Sequence, residues 1–191
     1  MDLKEQLKEL SFQMMLNETQ KKLIENNWSY TMTPGNSKTF DATKSTIKTC
    51  QEQILQADKK GYELSLQFNE LLLQNGKTYN SFVDGPDAAN IAAENLLYDY
   101  GLHYPISWYI KSQDKDGLHF AYEYSDTIDK KHNEFLLKIK NIALEESISD
   151  FEYKRLTLAA EYYANHRKLL SIYHNNEMIK KKQEKIKTLN N

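Results

Sequence analysis

The chain has 191 residues, 40% of them hydrophobic and 27% charged, ordinary values for one globular domain with room for a sizeable core. Six Gly and three Pro are too few for the turns of an all-β fold, and a single cysteine, Cys50, excludes an intramolecular disulfide and a cysteine-based zinc site. The formal net charge of −2 gives no global nucleic-acid footprint, although residues 151–191 carry nine Lys+Arg against four Asp+Glu (+5) and the other 150 carry sixteen against twenty-three (−7).

A first helix is expected over residues 2–26. Asp2 can cap it, and Leu3, Leu7, Leu10 and Met14 recur at helical spacing. After it, Trp28, Tyr30 and Met32 alternate with polar residues before the turn signal Pro34-Gly35-Asn36, which reads as a short hairpin or an ordered loop over 28–40. Asp41 opens a second helix to about Asn75. In it Ile47, Cys50, Ile54, Ala57, Gly61, Leu64, Phe68 and Leu71 follow one another at three and four, a coiled-coil-like seam. That seam can be filled within the bundle or by a second copy, so a homodimer is one expectation. Gly61 inside it costs about 1 kcal/mol against Ala, which points to a close crossing by a neighbouring helix.

A third helix, 86–100, starts at Pro86 with Asp84 and Asp87 near its amino end and stops at Gly101. Two period-2 runs then flank an Asp/Gly turn. Ile106, Trp108 and Ile110 precede it, and Leu118, Phe120, Tyr122 and Tyr124 follow it, which predicts a small antiparallel hairpin around 106–124. A fourth helix runs from Asp126 or Thr127 to about Ser147. Ser149 or Asp150 caps the last one, which has no Pro or Gly to stop it and is apolar on two adjacent faces, as expected of a central helix. The fold class is therefore mainly α: a bundle of four to five helices, two of them long, with a hairpin insertion. The domain is expected over 1–178, with a basic, frayed tail over 179–191.

Arg167 and His174 sit two turns apart inside an apolar strip of the last helix. A charged side chain there needs a partner or a function, because desolvating it alone is costly. The spacing R-x6-H in a long helix resembles the R-x4–6-H motif of HEPN domains, small helical bundles of which many are metal-independent ribonucleases acting as dimers. The resemblance covers this pair and the helical character, and Lys168 departs from the small polar residue usual after the Arg. It implies that Arg167 holds a phosphate and His174 moves a proton. Read structurally, Arg167 pairs with a carboxylate from another helix and His174 is hydrogen-bonded in a half-buried site.

Nothing else has catalytic or metal spacing. No two histidines lie three to five apart, and Asp114-Lys115-Asp116-Gly117 begins like a calcium loop but has Ser125 where a bidentate Glu is needed. No cofactor is expected. Tyrosines gather around the third helix and the hairpin, and Tyr109, Tyr122 and Tyr124, with Trp108, would make a protein-binding patch where exposed. Lys180, Lys181 and Lys182 could touch phosphates, which keeps nucleic acid as a third possibility. No apolar run approaches a membrane span and no signal pattern opens the chain, so the expectation is a cytoplasmic protein off the membrane. The leading function is a non-enzymatic, protein-binding regulator or inhibitor; the scarcity of Arg beside abundant Lys and Asn fits an AT-rich source such as a phage.

Overall fold

The structure, a computed structural model, describes residues 2–31, 40–75, 86–102, 109–114, 117–122 and 125–189; side chains are described for 2–28, 46–75, 89, 91–102, 128–172, 180–181 and 183–189. These residues form a mainly helical bundle: α1 Leu3–Thr31, α2 Phe40–Gln74, α3 Pro86–Asp99, α4 Ser125–Glu145 and α5 Asp150–Leu189. Two strands, β1 Tyr109–Asp114 and β2 Gly117–Tyr122, pair antiparallel with Tyr109 opposite Tyr122 and Asp114 opposite Gly117.

Local chemistry sets the helix ends. At α1, Asp2 Oδ1 accepts from the Glu5 amide (2.8 Å) and Glu5 returns a carboxylate oxygen to the Asp2 amide (3.0 Å), a reciprocal capping box. Ser149 and Glu152 repeat the device at α5. The Glu152 amide donates to Ser149 Oγ (3.2 Å), and the Ser149 amide (3.0 Å) and hydroxyl (2.8 Å) donate to Glu152. At α3, Gly101 takes φ +68°, which lets the Leu102 amide reach back to the Leu97 carbonyl at 2.9 Å and closes the helix.

The segment after Asn26 is helical where it is described, not a strand or loop: α1 continues through Trp28 to Thr31. Trp28 meets Phe151 edge-on, ring centroids 5.3 Å apart, and this contact between the ends of α1 and α5 outweighs the weak alternation in the sequence. Residues 32–39, with Pro34, lie outside the described residues.

The α2 seam is filled from within the chain. Cys50, Ile54, Ala57, Leu64 and Phe68 are all buried, with Met14 of α1 packed on Leu64 and Phe68. Gly61 faces Asn17 of α1: a Cβ there would stand 3.2 Å from the Asn17 Nδ2, so the close crossing expected of this glycine is present. Asn17 is itself anchored, donating to the Ala57 carbonyl at 2.9 Å.

α5 is the hub. It packs on α2, α3, α4 and β2, and its Leu156, Ala159, Ala160 and Tyr162 share one core with Ala93 and Leu97 of α3 and Phe135 and Ile139 of α4. Alanines at 93, 159 and 160, all at 0% exposure, let the three helices approach closely. α5 continues to Leu189, at about 1.5 Å per residue some 60 Å in all, so the basic segment belongs to the same rod.

Candidate functional site

α2 and α5 lie side by side in one fixed register. Asp58 meets Arg155 and Ser65 meets Tyr162, and both pairs are 97 residues apart. The helices therefore run parallel, which also sets positions 62 and 69 level with 159 and 166. On α2 these residues recur at four, three and four (Asp58, Tyr62, Ser65, Asn69), and on α5 at the same steps (Arg155, Ala159, Tyr162, His166). The result is a buried seam with polar rungs.

The first rung is ionic. Asp58, its side chain 3% exposed, accepts from Lys21 Nζ at 2.6 Å through one oxygen and from Arg155 Nε at 2.8 Å through the other. Arg155 also faces Glu25 at 3.7 Å and lies over the Phe151 ring at 5.6 Å. Burial alone would make the guanidinium easier to deprotonate, but Asp58, by charge and hydrogen bond, and then Glu25 raise its pKa instead. Three helices are thus tied at one point. Tyr62 stacks on Tyr162 at 4.6 Å and 16°; burial, then the Asp58 charge, push its pKa up. The Tyr162 hydroxyl shares a 3.0 Å hydrogen bond with Ser65 Oγ.

Higher up, the seam stays polar. Asn69 is fully buried and its side-chain amide makes no hydrogen bond. His166 is 4% exposed, stacks on Tyr162 at 5.9 Å, and is held neutral: burial first, then the charge of Arg167, lowers its pKa to about 4. Arg167 donates to the Tyr163 hydroxyl at 2.9 Å and its guanidinium lies 5.2 Å from that ring, so its shown partner is a tyrosine one turn back on the same helix. The neighbouring Lys168 pairs with Asp129 of α4.

Beside this seam lies a wide concavity. α1 and α3 both pack on α2, but among the described residues their backbones do not approach each other. Between them opens a groove of about 600 Å³. Its floor is Ala57, Gly61 and Tyr62, and Phe12, Met14 and Met15 wall one side against Ala89 and Ala92 on the other. Asp58 and Lys21 close the base. Phe12 and Met15, one turn apart on the α1 wall, are 54% and 61% exposed at the rim, an uncommon display for such large apolar side chains. A smaller recess of about 390 Å³ sits between Trp28, Tyr100, Phe151 and Arg155.

Of the residues singled out from sequence, Lys180 and Lys181 are exposed on α5. Tyr109 and Tyr122 are cross-strand partners, of which only the backbone is described. His174 lies on α5 with its side chain outside the described residues, as is that of Lys182; Trp108 and Tyr124 are wholly outside them. Sequence reading missed Lys21, Asp58 and Arg155. The signal was available: Asp58, Tyr62, Ser65 and Asn69 form a polar heptad alongside the apolar one, and Arg155 is one of two arginines in the chain. No described group of three or more His, Cys, Asp or Glu side chains could hold a metal ion, and no described helix is long and apolar enough to cross a membrane. Comparison with known protein families, curated proteins and solved structures finds no match.

Proposed function

We propose that the protein acts by binding another protein, as a regulator or inhibitor, and that the α1–α3 groove receives an amphipathic helix of that partner. The observation that carries the reading is the groove itself. Its apolar stretch of floor and walls, with Phe12 and Met15 exposed at the rim and charged residues at its edge, forms an open trough among the described residues. A concavity of this volume lies within the usual range of ligand sites, about 300–1,000 Å³, and helix-in-groove docking needs an apolar trough with polar edges. The ionic rung beneath ties α1 and α2, one wall and the floor of the groove, to α5.

The test is capture from the native host with the full chain immobilised. Ala92 is exposed at the groove wall, so Ala92→Trp fills the trough from its edge without touching the core. A partner retained by the wild type and by a Leu144→Asp control, but lost on Ala92→Trp, supports the reading. A partner held equally by Ala92→Trp overturns it. The alternative, RNA cleavage by Arg167 and His174, would require the Arg167 guanidinium to leave Tyr163 for a phosphate.

A further inference from the structure

The recess between Trp28, Tyr100, Phe151 and Arg155 holds hydrogen-bonding groups that the fold leaves unused. Arg155 donates to Asp58 through Nε, while Glu25 stands 3.7 Å from Nη2, beyond hydrogen-bond reach. Among the described residues neither Nη1 nor Nη2 makes a hydrogen bond, so the forked end of the guanidinium keeps its paired donors. Gln51 of α2 lines the same recess, half-buried, and its side-chain amide makes none either. Glu152 differs. The Ser149 amide and hydroxyl and the Tyr100 hydroxyl all donate to it, which holds its carboxyl below the usual range and occupies it in the helix cap.

We propose that this recess binds a 6-oxopurine nucleoside, of the guanosine or inosine type. The site is separate from the α1–α3 groove, and neither reading rests on the other.

The walls suit a flat ring: Trp28 and Phe151 meet edge-on at 5.3 Å, with Tyr100 beside them. The Arg155 guanidinium lies 5.6 Å from the centre of the Phe151 ring, at the margin of that aromatic wall. Its fork of N–H donors matches the adjacent O6 and N7 acceptors along one edge of a 6-oxopurine. Adenine presents an amino donor where O6 would be, so its edge sets donor against donor. Gln51 adds a donor and an acceptor for the rest of the ring's polar edge. Charge selects an uncharged ligand. Lys21 and Arg155 already balance Asp58 and Glu25, and an added ion would stand unmatched beside this half-buried cluster. At about 390 Å³ the recess lies in the usual range of ligand sites, about 300–1,000 Å³. A second recess of about 290 Å³ shares Gln51 and Phe151 with it, which leaves room for the sugar.

The experiment is isothermal titration calorimetry of the full chain with inosine, guanosine and adenosine. The wild type is expected to bind inosine and guanosine at least about tenfold more tightly than adenosine. Arg155→Lys keeps a positive charge beside Asp58 but loses the fork, and should weaken inosine about tenfold or more. Gln51→Leu removes an amide that takes no part in the fold, and should weaken inosine about fivefold. Circular dichroism checks that each variant is folded, and Gln51→Leu alone decides if Arg155→Lys is not. No binding of inosine or guanosine at millimolar concentration overturns the proposal. So does adenosine bound as tightly as inosine, or an inosine affinity that the folded variants leave unchanged. None of these failures affects the capture experiment, which reads the groove.

Discussion

Asp58→Asn removes the charge that holds Lys21 and Arg155. The carboxylate is 3% exposed, and its two cationic partners are 13% and 23% exposed, so all three sit largely out of water. Taking one member from such a cluster leaves cations desolvated and unmatched, which costs about 3–5 kcal/mol in buried pairs. Arg155 keeps Glu25 at 3.7 Å, so the lower end of that range, about 3 kcal/mol, is expected. For a chain of this size that lowers Tm by roughly 6–12 °C. Urea unfolding followed by circular dichroism reads it directly, with Asp150→Asn as the control, because the Asp150–Lys154 pair is 77% and 56% exposed and should be worth well under about 1 kcal/mol. A second arm separates charge from shape. Replacing the triad by apolar residues of similar size (Lys21→Met, Asp58→Leu, Arg155→Met) should recover most of the loss, since no unpaired charge remains. An Asp58→Asn protein within about 1 kcal/mol of wild type would refute the reasoning.

Acid should weaken the fold through His166. Its folded pKa of about 4 lies below the unfolded value of 6.5, so only the unfolded chain takes up a proton between these limits. Its contribution is constant above about pH 6.5 and stability falls as pH drops toward 4, by roughly 3 kcal/mol in all. Urea midpoints across this window should drop more steeply for wild type than for His166→Phe, and equal slopes would contradict the assignment. Asn69→Leu removes a buried amide without a hydrogen bond, so it should be neutral or stabilising by up to about 1–2 kcal/mol in thermal melts; a large loss would mean that the amide has a partner. Ser65→Ala and Tyr162→Phe should each cost about 1 kcal/mol and the double variant less than their sum, a coupling that a double-mutant cycle reports. Incubated with total RNA in EDTA, the wild type is expected to leave it intact; cleavage lost on Arg167→Ala with His174→Ala would replace binding by catalysis as the function.

The helical bundle and the central place of the last helix were legible because apolar periodicity and missing breakers act locally. The capping residues Asp2 and Ser149 and the stop at Gly101 are equally local, and the sequence names them. The α1 end was not, since the contact of Trp28 with Phe151 is between residues far apart in sequence. The ionic rung was hidden for the same reason. The polar heptad marks a face of α2, but only α5 laid beside it in register pairs Asp58 with Arg155, whereas Arg167 drew attention by standing in an apolar strip and is met by Tyr163 of its own helix. The groove is less legible still, being a space between α1 and α3 and not a property of either.

Methionine methyl resonances test the groove most directly, because Met14 and Met15 line it. In the full chain, a captured partner should shift both of these signals. Binding that leaves Met14 and Met15 in place would contradict the account.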